Sequence, residues 1–133
     1  MDIRELLTGV RATTLPQEVV PTPELGDGAS VIVRGMSGTD RNSYESALMV
    51  GKGRKSRVDM ADITAKLLVR CIVREDGTRV FRDDETALVG KIRSDVLGRL
   101  SDVAQRLCGL TEEDLEDLGK SLPTAPGTSS STN

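Results

Sequence analysis

Residues 31–50 read VIVRGMSGTDRNSYESALMV, and within that stretch the apolar pattern changes its period. Val31 and Val33 alternate with Ile32 and Arg34, as in a half-buried strand, whereas Tyr44, Ala47 and Leu48 recur at the three-and-four spacing of a helix face. Gly35 and Gly38 permit the turn between them. Ser37 or Thr39 caps the helix, because a short hydroxyl side chain accepts a bond from an orphan first-turn amide, and Asp40 suits the positive end of the dipole. A strand that runs into a helix makes the chain α+β, and the rest is read outward from it.

Upstream, Pro16, Pro21 and Pro23 remove backbone donors and hold residues 11–25 extended, so this segment can serve only as an edge strand. The glycines of Leu25-Gly-Asp-Gly-Ala29 supply a hairpin loop that returns the chain as a strand over 30–34. Residues 2–8, DIRELLT, form a short amphipathic helix with Ile3, Leu6 and Leu7 on one side, stopped by Gly9. A helix so short frays unless it docks on its own domain or on a neighbouring subunit.

Downstream, Asp59 is the expected cap of a helix over 59–73, in which Met60, Ile63, Leu67 and Cys71 form a stripe that Leu68 and Ile72 widen. Residues 74–81, REDGTRVF, carry an Asp76-Gly77 turn or miniature hairpin that folds Phe81 back onto the core. Asp83 or Asp84 opens a helix through Ala87, Leu88 and Ile92, interrupted near Gly90. Ser94 is expected to cap the most regular helix of the chain. Val96, Leu97, Leu100, Val103, Ala104, Leu107 and Cys108 share one stripe there, with Arg99, Asp102, Gln105 and Arg106 opposite, and Gly109 ends it. Thr111 caps a last helix, with Leu110 and Leu115 placed as a hydrophobic staple. The tail PTAPGTSSSTN has no apolar periodicity to offset its ordering entropy and is predicted to be disordered.

The expected organisation is thus mostly α-helical. An N-terminal segment (1–17) precedes one α+β domain (18–122), made of a β-hairpin arm (18–34) and a compact bundle of about four helices (38–120), with a disordered tail (123–133). One Phe, one Tyr and no Trp in 133 residues leave Leu, Val, Ile, Ala and Met to build the core, without large aromatic anchors.

Composition excludes more than it assigns. With no histidine, the usual neutral-pH general base and the commonest metal ligand are missing. Cys71 and Cys108 lie in apolar segments and read as small buried hydrophobes; whether they pair is left open by the sequence. Gly119-Lys120-Ser121 imitates the end of a phosphate-binding loop, but Asp114 replaces the required glycine and a helix precedes it. The acidic clusters at 83–85 and 112–117 start helices and lack the alternating spacing of a calcium loop. No catalytic, cofactor or metal site is visible, and the expected class is a non-enzymatic protein. A net charge of −3 disfavours nucleic acid as a partner, and no apolar run is long enough to span a membrane.

Several motifs together resemble a known family. Pro23, Glu24, Leu25 and Gly26 form a turn; Val31, Val33, Arg34, Gly35 and Met36 follow; Tyr44 and Glu45 stand in the capped helix. Cys71, Glu75, Asp76 and Gly77, and the run LSDVAQRLCGL over 100–110, continue the pattern. In that order they resemble the tail assembly chaperones of long-tailed, siphovirus-type bacteriophages, over residues 18–120. Met36 where leucine is commoner, the lengthening Asp27-Gly28 and the serine-rich tail depart from it.

The resemblance implies a protein of the host cytoplasm that self-associates, coats the phage tape measure protein to keep it soluble, recruits the major tail tube protein and is absent from the finished virion. It also implies a longer frameshifted form, for which Gly119-Lys120 is a candidate slippery pair. The candidate partner-binding residues are Val31, Val33 and Arg34 of the arm, Lys52, Arg54, Lys55 and Arg57 of a basic loop, and Leu115 and Leu118 of the last helix. Two other readings stand beside this one: a structural tail or connector protein of the virion, and a small nucleic-acid-binding regulator using residues 52–57.

Overall fold

A computed structural model describes residues 2–51 and 53–110. In chain order the elements are α1 (Ile3–Thr8), α2 (Val10–Thr13), β1 (Gln17–Pro21), β2 (Ser30–Arg34), α3 (Gly38–Ala47), β3 (Met49–Val50), β4 (Arg57–Val58), α4 (Ile63–Cys71), β5 (Ile72–Val73), α5 (Thr86–Gly90) and α6 (Ser94–Cys108). The chain is α+β and mostly helical, as the sequence implies. Lys52, the helix expected from Thr111 with Leu115 and Leu118, and the tail 123–133 lie outside the described residues.

The hairpin forms as its alternation requires. β1 and β2 pair antiparallel with Val20 opposite Val31 and Glu18 opposite Val33, so those four side chains share one face. Val20 and Val33 are buried there, while Val19, on the other face, is exposed. A 3₁₀ turn over Pro23–Leu25 closes the loop, and Gly28 at φ 74° meets the left-handed conformation the return requires. β1 is an edge strand, as its prolines dictate.

The third strand overturns a helix boundary. The expected helix over 59–73 is shorter at both ends. Asp59 accepts from the Ala61 amide (2.9 Å) in a turn instead of capping, and Asp62 precedes α4 with φ 55°. Met60, assigned to the buried stripe, is 45% exposed. At the other end Ile72 and Val73 leave the helix and pair with Val33 and Ile32, giving the sheet order β1-β2-β5. Two β-branched residues following Cys71 meet the unpaired side of β2, and that ladder outweighs one more helical turn.

Other boundaries moved for similar local reasons. Pro16 constrains only the residue before it, so Val10–Thr13 completes a helical turn where the sequence reading had an extended arm. Of the two candidate caps for α3, Ser37 does the work: its Oγ accepts from the Asp40 amide (3.1 Å). Ser94 is the first residue of α6 and not its cap; Arg93 holds the cap position, and Asp95 accepts from the Val96 amide (2.8 Å). The helix expected to reach Ile92 ends at Gly90, after a 3₁₀ turn over Asp83–Glu85. The 74–81 turn is a miniature hairpin, with Val73 bridged to Arg79 and Asp76 accepting from the Thr78 amide (2.9 Å).

α4 is the centre of the core. Its Leu67, Leu68, Val69 and Cys71 are at most 2% exposed. Tyr44 and Leu48 from α3 and its end, Val89 from α5, Val96, Leu100 and Ala104 from α6, and Val20, Val33 and Ile72 from the sheet join the same cluster. Phe81 packs against its edge. α6 lies across the inner face of the sheet, which is where its predicted stripe belongs.

Candidate partner-binding surfaces

The hairpin arm is clamped to the domain. At the border of the apolar stripe of α6, Arg99 binds both carboxylate oxygens of Glu24 (2.8 and 2.5 Å) and donates to the Pro21 carbonyl (3.1 Å). Two turns later Arg106 reaches Glu18 (2.6 Å). The Arg99 hydrogen bonds hold the Glu24 carboxyl at about 2, well below its ordinary value. The sequence places Arg99 and Arg106 opposite the apolar stripe and shows neither clamp; Glu24 is visible there only as a turn residue.

The three candidate residues of the arm separate accordingly. Val33 is 0% exposed and packs in the core, so the folded chain offers it to no partner. Arg34 donates to the Gly77 carbonyl (3.0 Å) and ties β2 to the miniature hairpin. Val31 is half-buried and lines an apolar groove of about 480 Å³ with Leu25, Ile32, Val73, Phe81 and Val96.

The basic loop is a β-ribbon, since β3 and β4 pair antiparallel across it. A Cβ on Gly51, at φ 86°, would overlap the Lys55 carbonyl oxygen, so this tight return needs glycine. The ribbon leaves Arg54, Lys55 and Arg57 exposed together.

A second cationic cluster is internal and was not foreseen. Arg70, 4% exposed on α4, donates to Ser43 Oγ through Nε (3.2 Å) and Nη2 (3.1 Å) and to the Lys66 carbonyl through Nη1 (2.7 Å). Asp83 lies 3.6 Å from it and 2.5 Å from Arg79, which also donates to the Val69 carbonyl near the end of α4 (2.7 Å). Burial pulls the Arg70 value down, opposed by Asp83, whereas the Arg79 hydrogen bond holds the Asp83 carboxyl below its ordinary value. This network joins α3, α4 and the turn before α5; its role is structural.

Among the described residues the three most exposed large apolar side chains, Val10, Ile3 and Leu7, are near the N-terminus. Ile3, Leu6 and Leu7 of α1 are 55–64% exposed and Val10 of α2 is 78% exposed; neither helix has a buried residue. The sequence had marked the first three as a face that must dock on something. Among the described residues no group of three or more acidic, cysteine or histidine side chains is placed to hold a metal ion. Among them, too, no helix is long and apolar enough to cross a membrane.

Comparison with known proteins adds the family. No curated protein sequence is similar enough to count as a match. Among solved structures, the fold is similar to that of the bacteriophage HK97 tail assembly chaperone, with a TM-score of 0.55, 19% identity and coverage of 83% of this chain and 96% of that one. The family model described as phage tail assembly chaperone matches residues 7–120, the same stretch that holds the clamped hairpin, the ribbon and the helical core. The chain therefore belongs to the phage tail assembly chaperone family.

Proposed function

We propose that this chaperone binds the phage tape measure protein in the host cytoplasm, keeps it soluble, recruits the major tail tube protein and leaves before the virion is complete. The family match over residues 7–120 carries this reading. The exposed face of Ile3, Leu6, Leu7 and Val10 supplies the physical means. A long helical client with bare apolar stripes aggregates unless something covers them, and many short amphipathic contacts, summed over self-associated copies, cover a rod yet still release it. The proposed role toward the tape measure protein is binding.

Co-expression of the chain with its tape measure protein tests this. The tape measure is expected in the soluble fraction with the chain and in the insoluble fraction without it. An insoluble client in both cases overturns the proposal, and recovery of the chain from purified particles in amounts like those of tail subunits favours a structural virion protein instead.

A further inference from the structure

Cys71 ends α4 and Cys108 ends α6, and the turn from β2 into α3 passes the end of α6. Gly35 lets that crossing be close: a Cβ there would stand 2.9 Å from the Leu107 carbonyl oxygen and 3.3 Å from Pro16 Cγ. The Met36 amide is thereby set beside Cys108, at the start of α3. Cys71 Sγ lies 3.9 Å from Cys108 Sγ, and both are free thiols.

Their surroundings differ. Cys71 is 0% exposed, among the core side chains, while Cys108 is half-buried. The shared hydrogen bond pushes Cys71 up, with burial adding to it. The same bond draws Cys108 down against its partial burial, helped by the Met36 amide and by Arg41, with Asp40 opposing. A half-buried thiol biased toward thiolate, 3.9 Å from a fully buried one, is an arrangement that suits attack and resolution.

We propose that Cys108 and Cys71 form a thiol–disulfide exchange site whose substrate is a low-molecular-weight disulfide, Cys108 attacking and Cys71 resolving. In the first step the Cys108 thiolate bonds to one sulfur of the small disulfide, whose own S–S bond breaks; the other half leaves as a thiolate and takes a proton from water. In the second, Cys71 attacks Cys108 Sγ and displaces the bound half, which takes the Cys71 proton and leaves as a second thiol. Two protein thiols are oxidised to one disulfide, and one small disulfide is reduced to two thiols. Closing the 3.9 Å gap to the bond length of about 2.0 Å asks each side chain to move only about 1 Å. The product ties the end of α4 to the end of α6 and restricts the unfolded chain, so it raises the thermal midpoint.

The test is incubation of the reduced full chain with glutathione disulfide, followed by intact-mass measurement and peptide mapping. The wild type is expected to lose two hydrogens, to yield a cross-linked Cys71–Cys108 peptide and to melt higher. Cys71→Ser is expected to retain one glutathione on Cys108, and Cys108→Ser to stay reduced. Two thiols persisting in the wild type, adducts that never resolve, or glutathione on Cys71 in Cys108→Ser would each overturn the proposal. The wild-type peptide map decides by itself if the buried substitution prevents folding.

Discussion

Arg99 grips Glu24 with both terminal guanidinium nitrogens, at 2.8 and 2.5 Å, joining the long helix to the tip of the β-hairpin. Arg106, seven residues further along α6, pairs with Glu18. The two arginines stand two helical turns apart, and Glu18 and Glu24 flank the buried Val20 of β1. The edge strand is therefore held from the helix side, while among the described residues no strand pairs with its outer edge. Arg99 and Glu24 give the first prediction.

Glu24 is held at about 2 in the fold against an ordinary value of 4.5, chiefly by the Arg99 hydrogen bond. A folded value below the unfolded one means that the clamp's contribution is complete above the unfolded value and is lost as pH falls through the folded one. Thermal midpoints of the wild type and Glu24→Gln are expected to differ by a constant amount above pH 4.5 and to converge toward pH 2. A gap that persists unchanged at the acid end contradicts this.

Ser43→Ala leaves Nε of the buried Arg70 without its acceptor, while Nη2 keeps the Ser43 carbonyl (3.4 Å) and Asp83 (3.6 Å). The expected cost is about 1–3 kcal/mol of folding stability, the usual range for orphaning a buried polar group. Urea unfolding measures it, and the midpoint is expected to fall with an unchanged slope.

Gly35→Ala places a methyl group 2.9 Å from the Leu107 carbonyl oxygen, with backbone on one side and Pro16 on the other. The expected loss is about 1–3 kcal/mol, as for other overpacked sites. Gly38→Ala is the control: nothing lies within 4 Å of that position, in the first turn of α3. It is expected to be neutral or slightly stabilising in the same denaturation assay.

Leu68→Ala empties a fully buried position at the centre of α4 and is expected to cost about 2–5 kcal/mol, a large part of the stability of a small domain. Leu6→Asp and Leu7→Asp alter side chains that are 55% and 64% exposed, and each is expected to shift stability by no more than about 0.5 kcal/mol. The same two variants are expected to lower the amount of tape measure protein recovered soluble in co-expression. Full recovery with both together would remove α1 from the proposed client-binding face.

The elements legible in advance were those whose period runs unbroken for several residues. β2, the capped start of α3, the stripe of α6 and its Gly109 stop all stand where alternation, a short hydroxyl residue and a left-handed glycine put them. The short helix at residues 3–8 was legible too, together with its unmet need to dock. The failures fall where two local preferences nearly balance. Ile72 and Val73 continue the helical stripe of α4 equally well as they suit a strand, and only the presence of β2 beside them decides. The candidate surfaces divide in the same way: the exposure of Arg54, Lys55 and Arg57 follows from polarity, whereas nothing local to Val33 says that α6 covers it.

By itself, then, the order of residues determined the class of fold, the hairpin, the glycine stops of α1 and α6 and the lack of any histidine, because these depend on composition or on neighbours a few positions away. The tertiary structure alone decided that Glu24 meets Arg99, that Arg70 is buried against Ser43, and that Cys71 and Cys108 come within 3.9 Å. Those pairs are separated by 75, 27 and 37 residues, and at such distances contact is set by how layers pack, which no local period encodes.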